Sequence, residues 1–281
     1  MKTTLVTLGI TALLVMQPLR QDAAKPAAAR GKAAVPAATV VLPAEFKDAK
    51  KMAMPAEQVF KNVFFFKGKP ASELRDAMLR MKAQTAHDCV ACHDTNNWAS
   101  ATKDHHRISM QMLQLTELAN STLYPKNPTK VTCWTCHRGK DEPERLPRVQ
   151  TPPELEAYNN FIHLTPEQAD KPAIEVFKNL KLIPKDLKAS QLAGVMVFFS
   201  RSLGVKCSHC HETEAFESDK KDEKDTARKM YAMVLKSKDT IYAKERANRM
   251  ACAGCHHGMV EPDETPKEMR EAAAKALKTG L

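Results

Sequence analysis

Residues 207–211 read Cys-Ser-His-Cys-His, and this Cys-x-x-Cys-His pattern occurs four times in the chain of 281 residues. The pattern is the attachment signature of c-type haem, in which two thiols form thioethers and the adjacent imidazole binds the iron. The four copies use all eight cysteines. We therefore predict four covalently attached haem c groups. The predicted haem-attaching cysteines are Cys89, Cys92, Cys133, Cys136, Cys207, Cys210, Cys252 and Cys255, and the predicted iron ligands are His93, His137, His211 and His256.

Three other uses of the cysteines compete with haem attachment. Structural zinc also uses Cys-x-x-Cys pairs, but zinc does not explain a histidine after every second cysteine. A thioredoxin-like redox pair is expected once, beside a βαβ pattern that this sequence lacks. A disulfide framework suits an exported chain, but four identical short spacings are not typical of one.

The N-terminus predicts export. Lys2 is followed by an apolar run from Leu5 to Met16, which is the pattern of a signal peptide and is short for a membrane span. We assign residues 1–22 to a signal peptide or a short anchor, and both readings stay open. Residues 23–52 are rich in Ala, Pro and basic residues, which predicts a disordered linker. Haem attachment outside the cytoplasm agrees with a periplasmic protein or one on the outer face of the cytoplasmic membrane, reaching the membrane surface through a partner or the N-terminal anchor.

The chain carries 43 Lys and Arg residues against 33 Asp and Glu residues, a formal charge of +10. Four haems would add about eight propionate groups, so the loaded protein is expected to lie closer to neutral. The lysines are scattered and no aromatic platform accompanies them, so we predict no nucleic-acid binding.

The sequence repeats once. Val59-Phe60-Lys61-Asn62 recurs 117 residues later as Val176-Phe177-Lys178-Asn179, and the predicted iron-binding histidines recur at offsets of 118 and 119. A near-constant offset indicates duplication. We predict one di-haem module at 53–142, a proline-rich linker at 143–172, a second di-haem module at 173–265 and a helical tail at 266–281.

Both modules have helical periodicity. Leu74, Ala77, Met78 and Met81 fall on one helix face, and Leu192, Val195, Met196 and Phe199 repeat that spacing. Further helices are predicted at about 106–119 and 224–237, and Ser72 and Ser190 are plausible helix starts. No alternating strand pattern is convincing. We predict an all-α fold in which the haems form much of the core.

The residue on the second face of each iron sets its potential and decides between electron transfer and ligand chemistry. Four methionines on predicted helices precede the four motifs and keep the module offset, and they are the predicted sixth ligands: Met78, Met112, Met196 and Met230. Met110 and Met233 are the near-neighbour alternatives. Ordinary core packing is the competing reading of each methionine.

Six further histidines lie outside the proximal positions: His87, His105, His106, His163, His209 and His257. His209 and His257 are beside proximal histidines, where geometry disfavours binding to the same iron. One module later, His105 and His106 correspond to Glu223 and Lys224, so we expect both at the surface or near a propionate. Bis-histidine ligation stays the alternative.

These features together resemble the tetrahaem cytochrome subunit of purple-bacterial photosynthetic reaction centres. The resemblance rests on Val-Phe-Lys-Asn, the methionine-bearing helix, the second helix with Thr226–Met230, and Cys133–Gly139, and it covers about residues 55–265. It implies a mostly helical fold, an extended four-haem array and Met ligands matching Met78, Met112 and Met196. In that family a histidine of the first module caps the fourth haem. Residues 113–132 contain no histidine here, which favours Met230 or leaves that ligand unknown.

The leading functional hypothesis is an electron carrier rather than an enzyme. The expected partners are redox proteins: a membrane oxidoreductase, a small soluble electron carrier or a photosynthetic reaction centre. The alternative is a multihaem enzyme, a peroxidase or an oxyanion reductase, that uses an open fourth haem. A polymeric wire is a third hypothesis, disfavoured by the few spare histidines.

Overall fold

The computed structural model describes residues 40–127, 130–144, 163–184, 186–241 and 251–271. Regular structure in these ranges is helical, with four isolated β-bridges and no strand. The prediction of an all-α fold is therefore confirmed. The α-helices are α1 (Ala49–Ala53), α2 (Ala56–Val59), α3 (Ala71–Thr85), α4 (Cys89–Cys92), α5 (Asp104–Leu123), α6 (Cys133–His137), α7 (Pro166–Ala169), α8 (Ala173–Val176), α9 (Ala189–Leu203), α10 (Asp222–Thr240) and α11 (Ala253–His256), with 3-10 helices at Ala44–Lys47 and Cys207–His209.

The helices α3 and α9 carry the two apolar stripes predicted from the sequence. Each is 15 residues long and ends at a residue in the left-handed region, Ala86 at φ 55° and Gly204 at φ 66°. The predicted starts at Ser72 and Ser190 are wrong by one residue, because both helices begin at the preceding alanine. The serines therefore lie inside the first turn rather than at its cap.

The two longest helices, α5 and α10, pack against each other. They contain the predicted spans 106–119 and 224–237 and extend beyond them at both ends. Ala119 of α5 forms a buried cluster with Met233 and Val234 of α10. Burying these apolar side chains contributes about 25 cal/mol per Å² removed from water. This contact joins the two halves of the chain.

The prediction of a disordered linker at 23–52 is wrong for its last residues. Phe46 lies in a 3-10 helix and Met52 in α1, and both side chains are buried. The Phe46 ring packs edge-on against Phe60 at 5.7 Å between centroids. These two apolar residues break the Ala/Pro/Lys composition, and packing them against Phe60 outweighs the local preference for disorder. Residues 23–39 lie outside the described ranges.

Matching turns recur in the two halves. Asn62 and Asn179, the asparagines of the repeated tetrapeptide, both adopt positive φ, at 59° and 62°. Arg138 and His257 do so at 49° and 50°. Asparagine tolerates this conformation because its short polar side chain makes local hydrogen bonds. Pairs of turns at nearly the same offset, 117 and 119 residues, are what a duplicated module predicts.

Other predicted segments fall partly or wholly outside the described ranges. These are residues 1–22, most of the linker at 143–172 and the end of the tail at 266–281. Within that linker α7 is described, and it has a capping box in which Thr165 and Gln168 exchange hydrogen bonds. In the tail, residues 267–271 are helical. None of the helices in the described ranges is both long and apolar enough to cross a lipid bilayer.

Candidate functional site

Each Cys-x-x-Cys-His motif forms one tight helical turn. Motif one is α4 and the histidine after it, motif two is α6, motif three is the 3-10 helix Cys207–His209 with the two residues that follow, and motif four is α11 with Cys252. A single turn brings the first cysteine and the histidine to the same face, because residues four apart are neighbours on a helix. The structure therefore brings the predicted thiols and imidazole of every motif together.

All four motif histidines have one ring nitrogen fixed by a backbone carbonyl. The contacts from Nδ1 are His93 to Trp98 O at 3.2 Å, His137 to Lys140 O at 3.0 Å, His211 to Phe216 O at 2.8 Å, and His256 to Met259 O at 3.0 Å and Val260 O at 2.9 Å. A carbonyl only accepts, so Nδ1 must carry the proton. The lone pair is then on Nε2, which is the nitrogen that a metal ion needs.

The protonation state also suits metal binding. Burial lowers the pKa of His93, His137, His211 and His256 below that of a free imidazole. Neutral imidazole is the form that ligates iron, so each motif presents a ready ligand near neutral pH. The oriented tautomer and the lowered pKa together fit the iron of a haem c.

Burial also favours the neutral form of the cysteines, and for a thiol this means a raised pKa. Burial raises the pKa of five of their thiols: Cys92, Cys133, Cys207, Cys210 and Cys252. A reactive redox cysteine needs a lowered pKa, because the thiolate is the nucleophile. The protonated thiols of this protein therefore disfavour the thioredoxin-like reading.

Motifs two and four lie directly against each other. A disulfide joins Cys136 to Cys255, with their Cα atoms 4.3 Å apart, and the other six cysteines are free. A sulfur in a disulfide cannot also form a thioether, so this bond and haem attachment at these two motifs are alternative states. The two cysteines occupy equivalent positions of the repeat, 119 residues apart.

A cavity of about 760 Å³ opens beside the first two motifs. Its wall includes the cysteines and histidines of both, and also Met78 and Met112. The volume lies within the usual range for cofactor pockets. Met110, the alternative to Met112, lines the same cavity, so both methionines stay candidates there.

In the second half, Met196 is half-buried on α9 and Met230 is half-buried on α10. Met233, the alternative to Met230, is only 9% exposed and packs in the cluster with Ala119 and Val234. A thioether used for packing between two helices is less available to an iron. This contrast favours Met230, and ligation by any of the four methionines stays a prediction.

Several residues that support the motifs were not predicted. The Lys103 ammonium donates to His93 O at 2.8 Å and to Val90 O, and Lys221 donates to Ser208 O at the equivalent place. Each lysine thus donates hydrogen bonds from a positive charge to backbone carbonyls of its motif turn. The offset of 118 between the two lysines was a usable signal, because it equals that of the motifs.

The repeated asparagines hold the loops that follow motifs one and three. Asn62 Nδ2 donates to Ala99 O at 3.0 Å, and Asn179 Nδ2 donates to Glu217 O at 2.5 Å. Those loops carry the carbonyls that fix His93 and His211. The repeated tetrapeptide therefore supports the histidines of motifs one and three through the loops, a role that its sequence did not reveal.

A charged cluster reinforces the loop after motif three. Asp219 accepts from Lys181 at 2.7 Å, from Arg228 at 2.7 Å and from Asn179 at 2.8 Å, and Lys181 with Arg228 holds the pKa of its carboxyl well below the usual range. The buried Lys224 donates to Phe216 O and Ser218 O, each at 2.8 Å. The Phe216 carbonyl oxygen thus accepts hydrogen bonds from both Lys224 Nζ and His211 Nδ1.

The family model described as "Photosynthetic reaction centre cytochrome C subunit" matches residues 20–169 and 184–272, which include all four motifs. The chain belongs to this family. Its members are cytochromes of the c type, so membership in the reaction-centre cytochrome family implies covalently bound haem c and a role in electron transport.

Two curated relatives carry the name "Photosynthetic reaction center cytochrome c subunit". The one from Thermochromatium tepidum is 31% identical over 185 residues, covering 57% of this chain and 46% of the relative. The one from Rubrivivax gelatinosus is 28% identical over 194 residues, covering 58% of this chain and 52% of the relative. The chain thus spans about half the length of the curated relatives it matches. The resemblance predicted from the sequence is confirmed.

Proposed function

We propose that this protein is an exported electron carrier with four haem c groups and no enzymatic activity of its own. The observation that carries the proposal is the same at all four motifs: Nδ1 of each histidine is tied to a carbonyl and Nε2 is left for iron. Haem c, when bound, supplies an iron that alternates between ferric and ferrous states. The chain supplies the ligands, the burial and the charges that set each potential.

The contacts between motifs support an order of one, two, four, three for the haems. Motif one follows the end of α3, and motif two packs on that same end, where Gly139 N donates to Gln84 O at 3.0 Å. Motif three follows the end of α9, and Gly258 N after motif four donates to Ser202 O of that helix at 2.8 Å. The contact between motifs two and four joins the two pairs. Such a chain of neighbours suits stepwise electron transfer.

The sixth ligands proposed for the four irons are Met78, Met112, Met196 and Met230. A methionine thioether raises the potential of a haem and fills the second axial position. Four six-coordinate irons leave no open site for a substrate, which is why we favour a carrier over a peroxidase or an oxyanion reductase. Haem attachment at motifs two and four requires Cys136 and Cys255 as free thiols, so it excludes a disulfide between them.

We place the protein in the periplasm or on the outer face of the cytoplasmic membrane. The relatives' names support a photosynthetic reaction centre as one partner. A membrane oxidoreductase and a small soluble carrier are the other redox partners that this architecture would serve. Electron-transfer encounters of this kind are brief and bury little surface.

A redox titration with optical detection tests the proposal, on the haem-loaded protein, with and without carbon monoxide. We expect four one-electron steps, mostly at positive potentials, and an unchanged spectrum under carbon monoxide. One low-potential haem that binds carbon monoxide would instead support the enzyme with an open fourth haem. A count below four haems per chain would contradict the tetrahaem assignment.

The Met196→Ala variant should lower the potential of one haem and open one iron to carbon monoxide, because the thioether is replaced by water or by nothing. The matched control is Met233→Leu, which keeps the packing volume of a methionine that contacts Ala119 rather than an iron. Potentials measured by the same titration decide the matter. If the four potentials of Met196→Ala equal those of the control, Met196 is a core residue.

A further inference from the structure

Three potential metal ligands from separate parts of the first half converge on the wall of the cavity beside motifs one and two. His87 precedes motif one, His105 is the second residue of α5, and Asp141 follows motif two. One ligand atom from each lies within 4.8 Å of the other two. The His87 and His105 rings are 5.1 Å apart between centroids. All three side chains line that cavity, and none of them is a predicted haem-attaching cysteine or iron ligand.

The protonation of His87 leaves a lone pair facing a carboxylate. His87 Nδ1 lies 3.0 Å from Thr85 O and 3.2 Å from Thr85 Oγ1. The carbonyl only accepts, and the Thr85 hydroxyl gives its proton to Met81 O at 2.7 Å. Nδ1 therefore carries the proton of the neutral ring, and Nε2 carries the lone pair.

That lone pair points into an unfavourable contact. His87 Nε2 is 2.8 Å from Asp141 Oδ1, yet the atom is buried and makes no hydrogen bond of acceptable geometry. Two acceptors at this distance repel each other unless a positive charge lies between them. A proton on Nε2 would relieve this one contact. A metal cation would relieve it and would also use His105, the third ligand atom within reach.

We propose that His87, His105 and Asp141 form a binding site for a divalent cation of the zinc type. Two imidazole nitrogens and one carboxylate oxygen are a ligand set that zinc accepts, with water in the fourth position. The side chain of His87 is 16% exposed and that of Asp141 is 54% exposed, so a cation would reach the buried His87 nitrogen from the Asp141 side. The Thr85 carbonyl fixes the ring of His87, as a supporting group does in metal sites.

The second half of the chain lacks the site. At the repeat offsets, the positions of His87, His105 and Asp141 are taken by Val205, Glu223 and Val260. The cation would therefore link α5 to the flanks of motifs one and two in the first half only. Because the ligands come from three segments, the folded chain binds the cation and the unfolded chain does not bind it at this site. Zinc should accordingly raise the unfolding temperature.

The test is a calorimetric titration of ZnCl₂ into the haem-loaded protein, after removal of any purification tag and treatment with a chelator. We expect one zinc per chain. His105→Gln and Asp141→Asn should each weaken binding at least tenfold and remove the rise in unfolding temperature. His163→Gln is the matched control, because His163 is an exposed histidine outside the cluster. His87→Gln is a secondary variant, since His87 lies two residues from Cys89.

Two results would overturn the site. The first is binding by His105→Gln with the same stoichiometry and affinity as by His163→Gln. The second is a changed haem spectrum of His105→Gln in the absence of zinc, which would make His105 an iron ligand. The number of haems per chain is measured for every variant. A variant that keeps four haems but loses zinc binding tests the zinc site alone, whereas a count below four tests the proposed tetrahaem carrier.

Discussion

The Gly204→Ala variant should be less stable than the parent protein by roughly 3 kcal/mol, from left-handed strain plus overpacking. Gly204 ends α9 at φ 66°, and a Cβ added there would lie 2.0 Å from Gly258 O and 2.9 Å from Gly258 C. Both atoms are backbone, so no side chain is free to rotate away. Motif four would have to move off the end of α9.

The first half supplies the comparison that separates strain from collision. Ala86, the equivalent of Gly204, adopts φ 55° as an alanine, so the left-handed conformation alone is tolerated at this turn. The cost at Gly204 beyond the left-handed strain is therefore the collision with Gly258. Because that collision displaces motif four, we also expect a reduced haem content at motif four.

The matched control is Gly194→Ala, in the middle of the same helix. A Cβ added at Gly194 meets no atom within 4 Å. Alanine is favoured over glycine in a helix by about 1 kcal/mol, so this control should be neutral or stabilising. Urea unfolding of the haem-loaded proteins gives the comparison. Equal unfolding midpoints for the two alanine variants would rule out the close approach of α9 and motif four.

The sequence predicts well whatever depends on short-range pattern. The stripe from Leu74 to Met81 predicted α3, and the Cys-x-x-Cys-His spacing predicted four turns that bring thiols and imidazole together. These features depend on residues at most four positions apart. Helix ends were predicted less well, because at Pro70 and Lys188 no side chain such as serine or aspartate marks the boundary.

Features that depend on distant contacts were not predicted. The carbonyls of Trp98 and Phe216 fix two of the motif histidines. Every residue has a backbone carbonyl, so residue type does not indicate which one makes such a contact. The burial of Phe46 depends on Phe60, fourteen positions away, so the composition of the segment before it suggested disorder. The convergence of His87 with Asp141 likewise depends on how motif two packs on α3. In each case the tertiary contact decided the outcome.

The double variant Cys207→Ala/Cys210→Ala should lose one of the four haems and destabilise the second half by more than about 4 kcal/mol, as the loss of a bound metal group typically does. Both thioether-forming sulfurs of motif three are removed. His211 keeps its contact with Phe216 O but loses the covalent anchor that holds the iron beside Nε2. The loss should be confined to motif three, because the other motifs keep their own cysteines.

The large effect follows from how little apolar core the protein alone provides there. Among the described residues from 173 onward, the buried apolar side chains are Ala173, Ala189, Leu192, Cys207, Met233, Val234 and Ala253. Most are small, and Met233 and Val234 pack against the first half rather than within the second. A haem has to fill the rest of that volume, so its loss removes much of the packing that offsets conformational entropy.

Ser208→Ala is the matched control within the same motif. It changes a residue between the two cysteines, keeps both thiols and leaves the Ser208 carbonyl that Lys221 contacts. Haem per chain is measured from the pyridine haemochrome spectrum and from intact mass, and stability from urea unfolding. We expect four haems in the control and three in the double variant. Four haems in both would overturn covalent attachment at motif three, and with it the reading of the repeated cysteine pattern on which the tetrahaem assignment depends.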